Sequence, residues 1–472
     1  MPAEHILFLT GKLAEKSLNK VLAGMQPTKF TYEVHQIGIS VAGLMTADLV
    51  RRRLPDARGS HRVIVPGRTR GDLDALSVHF GVPVVRGPEE LKDIPQFFGR
   101  RGAAVDLSRH NVQIFAEIVD APHLNIGGIL ERAAYYRRSG ADVIDLGCLP
   151  ETPFPHLEDA VVALREAGFR VSVDSVDTGD LVRGGRAGAD YLLSLTRETL
   201  WVADEVASVP VLIPGEPNDL ASLATAIETL QARGKPFIAD PILDPIHFGF
   251  TESIVRYRDL RRQFPRIDMM MGVGNLTELT DADTSGINAM LMGIVSELGI
   301  TSILATEVSP HARSAVREAD AARRMMHAAN EANSLPRDFS SALLAVHERK
   351  PFPYTAEEIG EFAMDVKDPS FRIQLSVDGI HVYNRDGMRV ATDPFELYPR
   401  LKLDADGGHA FYMGVELARA QIAWQLGKRY NQDQELTWGS ATERAAEDKR
   451  EYCAPGSTLQ HRMGKVKEDS SD

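Results

Sequence analysis

The sequence predicts an α/β chain with a central (β/α)8 barrel, an N-terminal open parallel α/β domain and a C-terminal α+β module. Three observations carry this. Between residues 112 and 331, eight short β-rich runs each precede a helical pattern, the arithmetic of an eightfold barrel. The first hundred residues show the same alternation with fewer units. Beyond residue 335 the alternation stops and Asp-Gly pairs separate β-rich runs. The resulting division is 1–108, 109–334 and 335–440, followed by a polar tail at 441–472.

In the first domain, residues 5–10 (HILFLT) are a continuous apolar run that reads as a buried strand, and 13–24 as a helix. Residues 31–37, 62–65 and 82–85 give further strands, with helices at 41–54 and 71–80. Strands separated by helices of this length pair in parallel through right-handed crossovers. The polar stretch 100–110 reads as a linker. Barrel strands are expected at 114–119, 143–146, 170–174, 191–195, 211–214, 236–240, 269–273 and 302–306. Their helices follow at 128–138, 156–167, 178–187, 199–207, 220–233, 253–264, 287–298 and 312–332. In the last module Asp378-Gly379 and Asp386-Gly387 mark hairpins between strands at 371–377, 381–383 and 388–391, since glycine supplies the positive φ these turns need. A long helix at 409–430 carries Phe411, Val415, Ala418, Ile422 and Leu426 on one face. With Trp424, it offers a homodimer face or a surface that packs on the barrel.

Composition narrows the function. With 53 basic and 66 acidic residues the formal charge is −13, which removes the broad basic surface of non-specific nucleic-acid binding. Two cysteines, Cys148 and Cys453, exclude a disulfide framework, a four-cysteine zinc site and a cysteine-ligated iron–sulfur cluster. No apolar run approaches the roughly 18 residues of a membrane span, and the start lacks a signal-peptide pattern, so a cytoplasmic protein is expected. No tightly bound cofactor is evident.

Barrels of this kind place their chemistry at the carboxyl ends of strands. Those positions here are rich in acid: Glu117 and Asp120, Asp145, Asp174, Asp240 with Asp244, and Glu307, with Asn275 after the seventh strand. A buried, uncompensated carboxylate costs several kcal/mol, roughly, so these groups should meet a ligand, a cation or water. Converging carboxylates suit a hard metal ion, or a flat heterocycle whose N–C–N edge an Asp grips with two hydrogen bonds. For a single Asp the competing role is capping the following helix.

The strand-end residues resemble the pterin-binding barrel shared by dihydropteroate synthases and pterin-dependent corrinoid methyltransferases. Residues 140–147 (GADVIDLG) with Glu151-Thr152 look like the synthase second strand, and 171–175 (VSVDS) with Ala187-Gly188-Ala189-Asp190 like the third and its return. Residues 240–250 resemble the Asp-Pro-Gly-x-Gly-Phe stretch at the sixth strand. Glu117 to Asp120 and Gly274-Asn275 are closer to the methyltransferase branch. With residues 10–15 (TGKLAE) and 378–387 (DGIHVYNRDG), the whole chain is similar to dihydropteroate-synthase-related proteins of methylotrophs and methanogens, associated with tetrahydromethanopterin.

That resemblance implies a transferase joining a hydroxymethyl-dihydropterin diphosphate to an arylamine, the ribofuranosylaminobenzene phosphate of tetrahydromethanopterin biosynthesis. The pterin would be held by Asp174 and by Asp240 or Asp244, with Asp145, Asn275 and Glu117 nearby. Asp174, Asp240 and Asp120 would be catalytic, and Asp120 would position Mg²⁺ on the diphosphate. The synthases carry Ser-Arg-Lys and Arg-x-His after the last two strands, where this chain has residues 274–277 (GNLT) and Thr306-Glu307. His123, Arg197, His247, His311 and Arg313 are therefore the candidate phosphate partners. Two other readings stay open: a pterin-dependent methyltransferase working with a corrinoid partner, and a non-catalytic pterin-binding subunit.

Overall fold

A computed structural model describes residues 4–98, 106–443 and 449, and the chain divides into two compact units. Residues 1–105 and 346–437, expected as separate modules, belong to one unit, and residues 106–345 with 438–443 to the other. Much of the linker at 100–110, and nearly all of the tail at 441–472 with Cys453, lies outside the described residues. Among the described residues no helix is long and apolar enough to cross a membrane.

The first unit opens with a parallel sheet of β1 (Glu4–Thr10), β2 (Phe30–Gln36), β3 (Arg62–Val65) and β4 (Val84–Arg86), in the order β2-β1-β3-β4. Alternate residues face opposite sides of a strand. Leu7, Leu9, Val63 and Val65 thus pack with Val50, Leu54 and Leu76, while Ile6, Phe8 and Ile64 pack with Leu18 and Leu22. The helix expected at 41–54 is split. A short turn, Ala42–Leu44, precedes the helix Ala47–Arg53, because the Thr46 hydroxyl accepts from Leu49 N at 3.2 Å and starts the helix there.

The second unit is a closed parallel barrel. Its strands are β5 (Gln113–Ile118), β6 (Val143–Gly147), β7 (Arg170–Asp174), β8 (Tyr191–Leu195), β9 (Val209–Leu212), β10 (Ile238–Ala239), β11 (Asp268–Gly272) and β12 (Ser302–Ala305). Parallel pairing of Ser302 with Gln113 joins β12 to β5 and closes the ring. The sixth strand is shorter than its expected 236–240. Pro236 and Pro241 flank it and bring no backbone N–H to the ladder. Outward residues such as Ile114, Ile144, Val171 and Ile303 meet the helices. Phe115, Val143, Tyr191, Leu193, Val211, Ile238 and Met270 form a second cluster. Phe115 and Tyr191 meet there edge to face at 4.9 Å. Each large apolar side chain buried in this way stabilises the fold by about 1.5–3 kcal/mol.

The amino ends of the strands are closed by charge. Arg323, 1% exposed, pairs with Asp142 and with Asp320 and donates to the carbonyls of Val112 and Gly140.

The C-terminal part of the first unit is an antiparallel meander of β13 (Arg372–Ser376), β14 (Gly379–Asn384) and β15 (Gly387–Ala391) under a helix, Gly407–Leu426. Gly427, at φ +62°, ends that helix before the expected residue 430. The expected buried face is corrected. Met413, Glu416, Leu417, Ala420 and Ala423 are buried, whereas Phe411 and Ile422 are exposed. Both stripes are apolar enough to bury. The chosen one tolerates Glu416 because Tyr430 OH (2.6 Å), Asp433 N (3.2 Å) and Arg419 satisfy its carboxylate. Trp424 packs against this module's own core.

Candidate functional site

Strand periodicity builds the site. Residues two apart on a strand share a face. Phe115 and Glu117, Val143 and Asp145, and Ile238 and Asp240 are such pairs, and the first member of each belongs to the Phe115–Met270 cluster. One step toward the carboxyl ends, the same face carries carboxylates. Pairing sets them side by side: Glu117 is in register with Asp145, Asp145 with Ser172, and Gly147 with Asp174. Ligand oxygens of Glu117, Asp145 and Asp174 all lie within 4.8 Å of one another. Gly147 makes the room, since a Cβ there would stand 2.6 Å from Glu117 Oε1.

Asp145 is wholly buried. Ser172 Oγ donates to its Oδ1, and Oδ2 has no partner among the described residues. No described Lys, Arg or His pairs with Glu117, Asp145 or Asp174. Burial pushes all three carboxyls upward, and each acid is raised further by a neighbouring one, Asp174 by both Asp145 and Asp240. Asp240 is pushed by burial to about 6, held back by hydrogen bonds from Tyr257 OH (2.6 Å) and Ile242 N (2.7 Å). Both bonds fall on Oδ1, which leaves Oδ2 for a ligand. Four carboxyls with raised proton affinity thus gather on β5, β6, β7 and the end of β10. Such a group can grip cationic or N–H-rich ligands and exchange protons near neutral pH.

Other expected site residues lie apart from these acids. Arg256 takes Asp244 in a 2.6 Å ion pair and also donates to the carbonyls of Pro241 and Ile242. Of the two sixth-strand acids, Asp240 is therefore the one that stands with Asp174. Asn275 Nδ2 donates to the Leu243 carbonyl at 2.7 Å. Asp120 is exposed in the loop after β5, outside the gathered acids. Among the phosphate candidates, His123, His247 and Arg313 are exposed, and Arg197 pairs with Glu198 at 3.0 Å. His311 Nε2 meets the Thr277 carbonyl at 3.1 Å. Glu307 turns to the neighbouring helix and accepts from Val316 N at 3.0 Å. Burial pushes the Cys148 thiol up to about 12, which leaves it unreactive at neutral pH.

Sequence reasoning missed three residues that orient the acids: Ser172, Tyr257 and Arg256. Ser172 carries a readable signal, two residues before Asp174 on the same face. Tyr257 and Arg256 lie on the helix Phe250–Gln263, and nothing in their spacing identifies them.

Comparisons with known proteins add the following. Residues 4–89 match a family of unknown function (DUF6513). The chain is 28% identical over 523 residues to the uncharacterized protein MJ0107 of Methanocaldococcus jannaschii, covering 91% of this chain and 98% of that one. Among solved structures it is similar to Yersinia pestis dihydropteroate synthase in a sulfonamide complex, at 17% identity and TM-score 0.38, over 49% of this chain and 98% of that one. It is also similar to 7,8-dihydropteroate synthase from Vibrio fischeri, at 17% identity and TM-score 0.37, over 48% and 94% of the two chains.

Proposed function

We propose that the carboxyl end of the barrel binds a reduced pterin and that the protein is a transferase of the dihydropteroate synthase type. The observation that carries this reading is the meeting of Asp240 with Asp174, which, like Glu117 and Asp145, has no basic partner among the described residues. Among the described residues Asp174 makes no side-chain hydrogen bond, and it suits the N–C–N edge of the pterin, accepting two N–H bonds side by side. Asp240 adds one acceptor, Oδ2, with its orientation set by Tyr257. The motif resemblance at the second, third and sixth barrel strands supports the same ligand.

In the reaction, the arylamine nitrogen attacks the pterin methylene while the C–O bond to the diphosphate breaks. Diphosphate leaves with that electron pair, and the amine loses a proton to solvent. Carboxylates at Asp174 and Asp240 stabilise the positive charge that spreads over the ring as the bond breaks. Arg197, Arg313, His123, His247 and His311 are the side chains available to the diphosphate. The acceptor is the ribofuranosylaminobenzene phosphate of tetrahydromethanopterin biosynthesis. Calorimetric titration with the hydroxymethyl-dihydropterin diphosphate should show binding, and adding the arylamine should yield the coupled product. Absence of binding contradicts the reading.

A second reading, transfer of a methyl group from a methanopterin to a corrinoid partner, draws on Glu117 and Asn275 and on acids that hold protons near neutral pH. Methyl transfer without coupled product would select it.

A further inference from the structure

We propose that Glu117, Asp145 and Asp174 form a site for one hard divalent cation, of the Mg²⁺ or Mn²⁺ class, at the carboxyl ends of β5, β6 and β7. The donor set decides the class of ion. All three side chains offer carboxylate oxygen, with no sulfur or imidazole among them, and oxygen-only sites suit Mg²⁺, Mn²⁺ and Ca²⁺. The spacing fits as well. Ligand atoms within 4.8 Å of one another can share one ion at metal–oxygen distances of about 2.0–2.6 Å.

Acids that merely cluster at a surface find water, but Asp145, the middle one of the three, cannot. Asp145 is fully buried with Oδ2 unpartnered, and a buried carboxylate oxygen with no donor lacks the compensation that burial demands. No described basic side chain supplies it. Two features look built for a ligand. Ser172 fixes the orientation of Asp145 by binding the other oxygen, as groups behind a metal ligand do. Gly147 leaves open the space into which Glu117 Oε1 projects. The three ligands come from adjacent paired strands, so their spacing is held by the barrel rather than by a loop. Such an ion would also bring positive charge to an acid-lined mouth that must receive a diphosphate; that consequence alone rests on the proposed function.

The test uses the full-length protein after dialysis against a chelator. Mn²⁺ is titrated in and followed by electron paramagnetic resonance, with Mg²⁺ as competitor. The expected result is one Mn²⁺ per chain, displaced by Mg²⁺. Affinity should fall at least tenfold in Asp145→Asn and in Glu117→Gln and stay unchanged in Glu307→Gln. Circular dichroism checks that each variant folds, and the wild-type stoichiometry decides independently of them. No Mn²⁺ bound to the wild type, or unchanged affinity in both folded site variants, overturns the site. Titrating the pterin with and without chelator separates the two ideas. Pterin binding without Mn²⁺ binding removes the cation site alone, and Mn²⁺ binding without pterin supports the site and removes the pterin reading.

Discussion

Asp142, just before β6, and Asp145, three residues further along, differ in exposure and in the positive charge around them. Asp142 accepts from Ile114 N at 2.8 Å and pairs with Arg323, which also binds Asp320 and two backbone carbonyls. Asp145 has Ser172 on one oxygen, nothing on the other, and two more carboxylates beside it. Asp142 keeps 28% of its side chain exposed and Asp145 none, so the acid with less access to water is the one without a cation. At the amino end a built-in cation closes the charge balance and the acids hold the barrel together. At the carboxyl end the balance is left open, at a cost to stability that a ligand can recover.

The largest expected effect breaks the closed end. Arg323→Ala leaves Asp142 without its cation and Asp320 with Arg324 alone, and should destabilise the protein by about 3 kcal/mol in urea unfolding, the low end for breaking a buried pair because both acids are partly exposed. A change under about 1 kcal/mol would remove the contrast between the two ends. At the open end, Asp240→Asn keeps the Tyr257 hydrogen bond but loses the charge. It should weaken pterin binding at least tenfold, roughly 1.4 kcal/mol, in titration calorimetry. Unchanged affinity would remove Asp240 from the grip.

Asp145→Asn should do the reverse of Arg323→Ala. Measured with chelator present, it should leave stability unchanged or raise it by about 1 kcal/mol, because an amide relieves repulsion and can donate to Glu117. A clear loss would mean that the charge on Asp145 is satisfied after all.

The smallest effect is on pH. Burial raises the folded-state values of Asp240 and Glu307 to about 6 and about 7, from 3.8 and 4.5. The folded state therefore favours their protonated forms. Their contribution is full below about pH 4 and is lost as the pH rises through about 6 and about 7. Unfolding midpoints measured with chelator should fall over that window, and Asp240→Asn should flatten the part near pH 6.

Much of this was readable beforehand, because it follows from period and count. Eight strand-then-helix units specify the barrel, and two-residue spacing puts Glu117 above Phe115 and Asp145 above Val143 on one face. What sequence could not supply were contacts between distant elements. Asp240 and Asp244 look equivalent until Arg256 takes one and Tyr257 orients the other. The helix Gly407–Leu426 has two apolar stripes, and only a partner for Glu416 decides which is buried. The scattered Arg and His residues carry no local pattern that fixes where they point.

The central claim is that the open charge balance at the carboxyl end of the barrel exists to hold a pterin. The most direct measurement is a crystal structure of the protein soaked with 6-hydroxymethyl-7,8-dihydropterin. The account predicts the ring between Asp174 and Asp240, with its N–C–N edge on the Asp174 carboxylate. A pterin bound elsewhere, or these acids contacting only water at saturating ligand, would contradict it.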